Sequence, residues 1–228
     1  MFLSIGRRDS GNVLKVDKSE QYHTVDELIS KSQPNSIYYT LLILSAVIIS
    51  AGLLLGNNPI VIGGMLVTPV MTPVLLFALG LSIVESKAIR KAGFLMVISF
   101  LVVLLISWIL AQAVGVGQLK FLLEGDPTRI FVLYSFVALS SGIAATLAWA
   151  HKDLTDVLPG IAIAVSLTPP LSLVGISLSS GDQRLINFYL LVFIFNLAGM
   201  TLGSLITYIL LKFYKARREV ERTIEAKK

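Results

Sequence analysis

Two threonine-proline pairs lie 100 residues apart, Thr68-Pro69 and Thr168-Pro169, and each follows an earlier proline at the same distance, Pro59 and Pro159. Pro73 and Pro170 add a second break beside each pair. Proline has no amide hydrogen and its ring crowds the carbonyl four residues back. In a helix, Pro69 therefore deprives the carbonyl of Met65 of its donor, and Pro73 that of Pro69. Pro169 and Pro170 do the same to Val165 and Ser166. Such carbonyls, with the hydroxyls of Thr68, Thr72, Ser166 and Thr168, could hold an ion or a small solute, and broken helices aim their positive N-terminal ends at the same place. The candidate substrate-binding set is Met65, Thr68, Pro69, Thr72, Pro73, Val165, Ser166, Thr168, Pro169 and Pro170. Asn196, a strong neutral polar group in the last apolar run, joins it, with an interhelical hydrogen bond as its competing role.

Other chemistry is poorly supplied. Cysteine is absent, which removes disulfides and thiolate metal sites. His23 and His151 both fall outside the apolar runs, and no Asp, Glu, Lys, Arg or His lies within them. A carboxylate proton relay, a metal centre and an intramembrane enzyme with a general acid or base are therefore not expected, nor is any cofactor.

The residues that must position these groups are strongly apolar: 55% of the 228 residues are hydrophobic, 14% are charged and the mean hydropathy is +0.80. Soluble chains run nearer a quarter charged. Charge-free apolar runs cover 37–56, 59–84, 92–116, 130–150, 157–179 and 185–211. Each is long enough to cross a bilayer as a helix, and barrel-type alternation is missing, so the expectation is an all-α polytopic membrane protein of six spans. Six of the eight prolines fall in the second and fifth runs. Ser50-Ala51-Gly52 recurs as Ser140-Ser141-Gly142 in the runs before them, with about ten extra residues needed in the second copy. The chain then reads as two three-span repeats, 37–116 and 130–211, inverted across the membrane because each has an odd number of spans, with helices 2 and 5 broken at proline. Two re-entrant hairpins in place of those helices are the competing topology.

The flanks are polar. Residues 1–36 form an N-terminal segment in which Thr24 and Glu27 match a capping box, opening a short amphipathic helix through Ile29 that ends before Pro34. Residues 212–228 carry seven basic and three acidic residues, read as an extension of the last helix and a topological anchor. The N-terminus, the 85–91 loop, the 151–156 loop and the C-terminus hold five, three, one and seven Lys or Arg, against three on the opposite side, which places both termini in the cytoplasm of a cell membrane. Tyr38, Tyr39, Trp149, Tyr208 and Tyr214 stand where interfacial aromatics belong. Gly52-x-x-x-Gly56 and Gly199-x-x-x-Gly203 are small-residue seams, within a protomer or between protomers. The basic tail explains most of the net charge of +5, so nucleic acid is not an expected partner.

The Tyr38-Tyr39 opening, Ser45, Gly52-Leu53-Leu54, the run Val61-Ile62-Gly63-Gly64-Met65-Leu66, and Pro69 with Pro73 resemble the prokaryotic membrane family catalogued as domain of unknown function number 389. The likeness is strong over 28–84 and looser through the second half. It implies a bacterial or archaeal multi-pass membrane protein and supplies no activity. Many relatives carry a longer soluble domain than the short N-terminus here.

From the residues, the expected function is a membrane transporter or channel for a small ion or solute, bound at the midplane between the two broken helices in a bilayer-embedded homo-oligomer. Small anion, cation and neutral solute all remain open. The alternative is a non-transporting scaffold or regulatory subunit whose breaks serve packing alone.

Overall fold

A computed structural model describes residues 16–116, 127–151, 154 and 167–226. Among them the chain is helical without strands, in the order α1 (Lys18–Lys31), α2 (Ser36–Leu54), α3 (Asn58–Val67), α4 (Met71–Ile83), α5 (Ser86–Val114), α6 (Pro127–Ala150), α7 (Thr168–Ser180), α8 (Gln183–Leu210), a 3-10 turn (Phe213–Ala216) and α9 (Arg217–Ala226). Helices α2, α5, α6 and α8 are long and apolar enough to cross a membrane, and α3 with α4, bent by 55° at their break, would make a fifth span. These are the dimensions of a helical membrane protein. Of the expected fifth run, residues 157–166 lie outside the described residues and α7 is its described part.

Local signals account for the helix ends. Asn35 caps α2, its side chain accepting from the Tyr38 amide at 2.8 Å, and Asn57 caps α3 through Ile60 at 3.3 Å. Thr68 ends α3 in an extended conformation, φ −68° and ψ 130°, because the ring of Pro69 disfavours the helical region for the residue before it. Pro73 then lies in the first turn of α4, and Pro169 and Pro170 in the first turn of α7, where a missing amide hydrogen costs no helical bond. The prolines therefore start helices here more than they kink them. Glu85 and Asp182 cap α5 and α8.

The bundle has two buried helices inside four partly exposed ones. Residues 168–177 of α7 are all buried, and so is most of α4 from Thr72 to Ile83. Apart from the hydroxyls of Thr72, Thr168, Ser172 and Ser177 their buried residues are apolar, as in a helix with little solvent or lipid face. The outer helices instead show large apolar side chains at helical spacing, as in Phe94, Val97, Leu101 and Leu105 on α5. Helix α4 packs on α5 and α8, and α7 packs on α8 and α5; α2 packs on α5 as α6 does on α8. The buried helices α4 and α7 thus share the same two partners, α5 and α8.

Glycines set the close approaches. A Cβ at Gly203 would overlap the Leu139 carbonyl, one at Gly199 would lie 2.8 Å from the Ala138 Cβ, and one at Gly52 would lie 2.8 Å from Val61. The Gly199–Gly203 seam is therefore used inside the protomer, between α6 and α8, whereas of the other pair Gly52 meets α3 and Gly56 lies past the end of α2 in an exposed turn with φ 63°.

At one end the two terminal helices form a cap. Val25, Leu28 and Ile29 of α1 are fully buried and join Leu211, Phe213, Val220 and Ile224 in one apolar cluster. Gln21 Nε2 donates to the Leu211 carbonyl at 3.1 Å, Thr24 Oγ1 to the Trp149 carbonyl at 2.9 Å, and Lys87 pairs with Glu225. These contacts gather α1, the start of α5, the end of α6 and the C-terminal segment at the same end, the grouping that the charge count expects.

Three expectations change. Helix α1 starts at Lys18, not Thr24: the Asp17 amide donates to Glu20 Oε2 at 3.1 Å, and the Thr24 hydroxyl is spent within the helix on Glu20 and across it on Trp149. The C-terminal segment does not extend the last helix. Lys212 adopts the left-handed region, φ 60°, and turns the chain so that Val220 and Ile224 reach the cap. Tyr38, Trp149 and Tyr208 are buried, with Tyr38 bonded to Ser99 Oγ at 2.8 Å and Tyr208 stacked edge-on against Phe213, so of the five aromatics Tyr214 is the clearly exposed one.

Candidate functional site

The two threonines that precede proline meet. Thr68 Oγ1 and Thr168 Oγ1 lie 3.4 Å apart, joining positions 100 residues apart in the chain. Four features of the sequence bring them there. Helix α3 runs back along α2, with Gly64 against Ile48 and Ile49, and ten residues of helix carry the chain about 15 Å, half the apolar thickness of a bilayer. Pro69 then ends α3. Thr168 opens α7, and Gly175 lets α7 press on α5, where a Cβ would lie 2.7 Å from the Leu104 carbonyl and from the Ser107 Cβ.

The environment is buried and uncharged. Thr168, Pro169, Pro170, Thr72 and Pro73 are buried, while Thr68 and Pro69 are half-buried. The Thr72 hydroxyl donates to the Pro69 carbonyl at 3.1 Å and lies 3.4 Å from the Lys31 carbonyl, the last of α1. Pro69 lies before the N-cap of α4, so its carbonyl has no donor within that helix and the local hydroxyl takes that place. The positive ends of α4 and α7 start at or within three residues of the threonine contact, the negative end of α3 stops there, and the negative end of α1 stops beside Thr72.

Of the expected site residues, the structure brings together Thr68, Pro69, Thr72, Pro73, Thr168, Pro169 and Pro170. Met65 packs one turn earlier against Ile49 and Val61. Asn196 is buried on α8, which packs on both α4 and α7. Val165 and Ser166 lie outside the described residues.

Sequence reasoning passed over Ser172. It stands one turn inside α7 on the face of Thr168, fully buried, and its hydroxyl has no hydrogen-bond partner among the described residues. The signal was present, since Ser172 follows Thr72 by the same 100 residues that separate Thr168 from Thr68. It also missed the pair Ser50 Oγ and Ser107 Oγ, 2.8 Å apart, which links α2 to α5 beside Gly175.

Helices of spanning length and composition around two proline-headed buried helices define the class, a helical protein with the dimensions to cross a membrane. Residues 65–202 match the family described as "Domain of unknown function (DUF389)", and the chain belongs to that family. It is also similar to an uncharacterized protein of Methanocaldococcus jannaschii, 23% identical over 195 residues, which cover 84% of this chain and 58% of that protein. The chain thus spans less than two thirds of that relative's length. No solved structure matches it.

Proposed function

We propose that this protein is a small membrane transporter or channel, with its site where the Thr68-Pro69 and Thr168-Pro169 breaks meet. The observation that carries the reading is the 3.4 Å contact between the two threonine hydroxyls. Packing alone does not require two breaks from opposite halves of a chain to converge, whereas a site shared by two repeats does. The exchange of partners between α4 and α7 supports six crossings in two inverted repeats, with residues 157–166 completing the fifth. The clustering of both terminal helices with the start of α5 and the end of α6 supports termini on one side, and the excess of Lys and Arg there makes that side the cytoplasm. Movement of one repeat against the other would open the threonine contact to alternate sides.

The natural absence of cysteine makes the test clean. Single cysteines at Thr68, Thr72 and Thr168 should react with small aqueous thiol reagents. If all three stay unreactive from both sides in a folded, reconstituted protein, the breaks serve packing and the transport reading is lost. A cysteine at Asn58 should label from outside, and labelling from inside alone reverses the orientation.

A further inference from the structure

The terminal helices are fastened crosswise. Helix α1 precedes the first half of the bundle, α2 to α5, yet its polar side chains reach the second half, α6 to α8. Gln21 Nε2 donates to the Leu211 carbonyl at 3.1 Å, Thr24 Oγ1 lies 2.9 Å from the Trp149 carbonyl, and Lys31 Nζ stands 4.7 Å from the centre of the Trp149 ring. Helix α9 follows the second half, yet its charged side chains reach the first. Arg217 Nε lies 3.8 Å from Glu85 Oε2, and Glu225 pairs with Lys87. Glu85 is buried at the turn into α5, where its carboxylate also accepts from the Lys87 amide at 3.2 Å. Val25, Leu28 and Ile29 of α1 share one apolar cluster with Val220 and Ile224 of α9, so the two terminal helices support each other.

The end of α1 lies over the way to the threonine contact. The carbonyl of Lys31, its last residue, is 3.4 Å from Thr72 Oγ1, and Thr72 Oγ1 donates to the Pro69 carbonyl at 3.1 Å. Pro69 follows Thr68, whose hydroxyl lies 3.4 Å from that of Thr168. Thr72 is 7% exposed, and Ser32, directly after α1, is fully buried. Helix α1 is nevertheless built to come away. It is 14 residues long, and Lys18, His23, Asp26, Ser30 and Lys31 give it an exposed polar face. A short surface helix held by a few buried contacts opens locally at lower cost than the bundle unfolds.

We propose that α1 is a detachable strap, locked by α9, which closes the terminal side of the Thr68–Thr168 contact and regulates its exposure. This rests on the transport reading and names the regulation of that same site. Every crossed bond joins one half of the bundle to the other, so the halves cannot shift apart at this end until those bonds break. Release of α1 uncovers Thr72 first, because the Lys31 carbonyl is its neighbour.

The full chain carrying Thr72→Cys as its single cysteine is reconstituted in phosphatidylethanolamine–phosphatidylglycerol vesicles, and its rate of reaction with membrane-permeant N-ethylmaleimide is measured. Gln21→Ala with Thr24→Val removes the two hydrogen bonds of α1 to the second half and should speed the reaction about ten-fold. Lys87→Glu should speed it about two-fold, and adding Glu225→Lys, which restores the pair with its signs exchanged, should bring the rate back. Ser177→Cys in place of Thr72→Cys is the control, since Ser177 is fully buried near the far end of α7 and should keep its rate in every variant. An unchanged rate at position 72, or equal acceleration at position 177, overturns the strap. If Gln21→Ala with Thr24→Val does not fold, the exchange of Lys87 and Glu225 decides, and a double exchange that fails to restore the rate counts against the lock. The labelling needs no substrate, so the two readings fail separately. Acceleration at position 72 without flux of sodium, potassium or chloride through the chain with Thr72 in place removes transport and leaves α1 a removable cover. Flux with a position 72 indifferent to the variants removes the strap and leaves transport standing.

Discussion

Helices α4 and α7 are each 13 residues long and each is buried among α5, α8 and its neighbours, α4 beginning just after Thr68-Pro69 and α7 at Thr168 itself. Their hydroxyls are nevertheless treated differently. On α4, Thr72 is tied to the Pro69 carbonyl and lies beside the last carbonyl of α1. On α7, Ser172 at the matching register has no partner among the described residues. The Thr68-Pro69 break is closed by its own chain and by the terminal helix, while the Ser172 hydroxyl at the head of α7 stays unbonded among the described residues. The difference follows from α1, which packs on α4 and touches α6 through Trp149 but has no comparable seat on α7. Shared packing partners are thus compatible with unequal chemistry at positions 100 residues apart.

Exchanging residues between these helices tests the comparison most severely. Gly175→Leu gives α7 the residue that α4 has at Leu75, and it should cost about 3 kcal/mol or more in a reversible detergent-unfolding assay, since the first added carbon already meets α5 backbone. A tolerated leucine would mean that α7 is less tightly seated than α4. Leu75→Ala opens a cavity in a fully buried position and should cost about 2–4 kcal/mol in the same assay. The terminal helix comes next. Thr24→Val removes the bond to the Trp149 carbonyl and should lower stability by about 1 kcal/mol, with faster hydrogen exchange in α1 as the specific sign that the cap has loosened. A double-mutant cycle of Thr68→Val and Thr168→Val should show the smallest effect, a coupling of about 0.6 kcal/mol. A value several times larger would recast the 3.4 Å contact as a structural bond and leave those hydroxyls unavailable to a ligand.

Much of this was legible in the chain. Helix starts at Pro59, Pro73 and Pro169, the break at Thr68, and the gathering of basic segments at one end all follow from short-range rules, because proline acts on its own turn and charge avoids apolar surroundings wherever it sits. Thr24 was misread because two overlapping patterns, Asp17 with Glu20 and Thr24 with Glu27, both suit a helix start, and the choice depended on a carbonyl 125 residues away. Tyr208 and Trp149 were misplaced for a related reason. An aromatic near the end of an apolar run reads as interfacial unless a terminal helix folds over it, and here α1 and α9 do. The 100-residue register held enough information to find Ser172 from Thr72, but not to show that one hydroxyl is bonded and the other is not.

By itself, the sequence determined that the chain is helical, apolar enough for a membrane, broken at Thr68-Pro69 and free of charge inside its apolar runs. Those properties are set by composition and by neighbours within a turn. The tertiary structure alone decided that Thr68 and Thr168 touch, that the terminal helices close one end, and that Ser172 has no partner among the described residues. Each depends on how closely separate helices approach, and that distance is set by small residues such as Gly175 and Gly203 acting across the bundle.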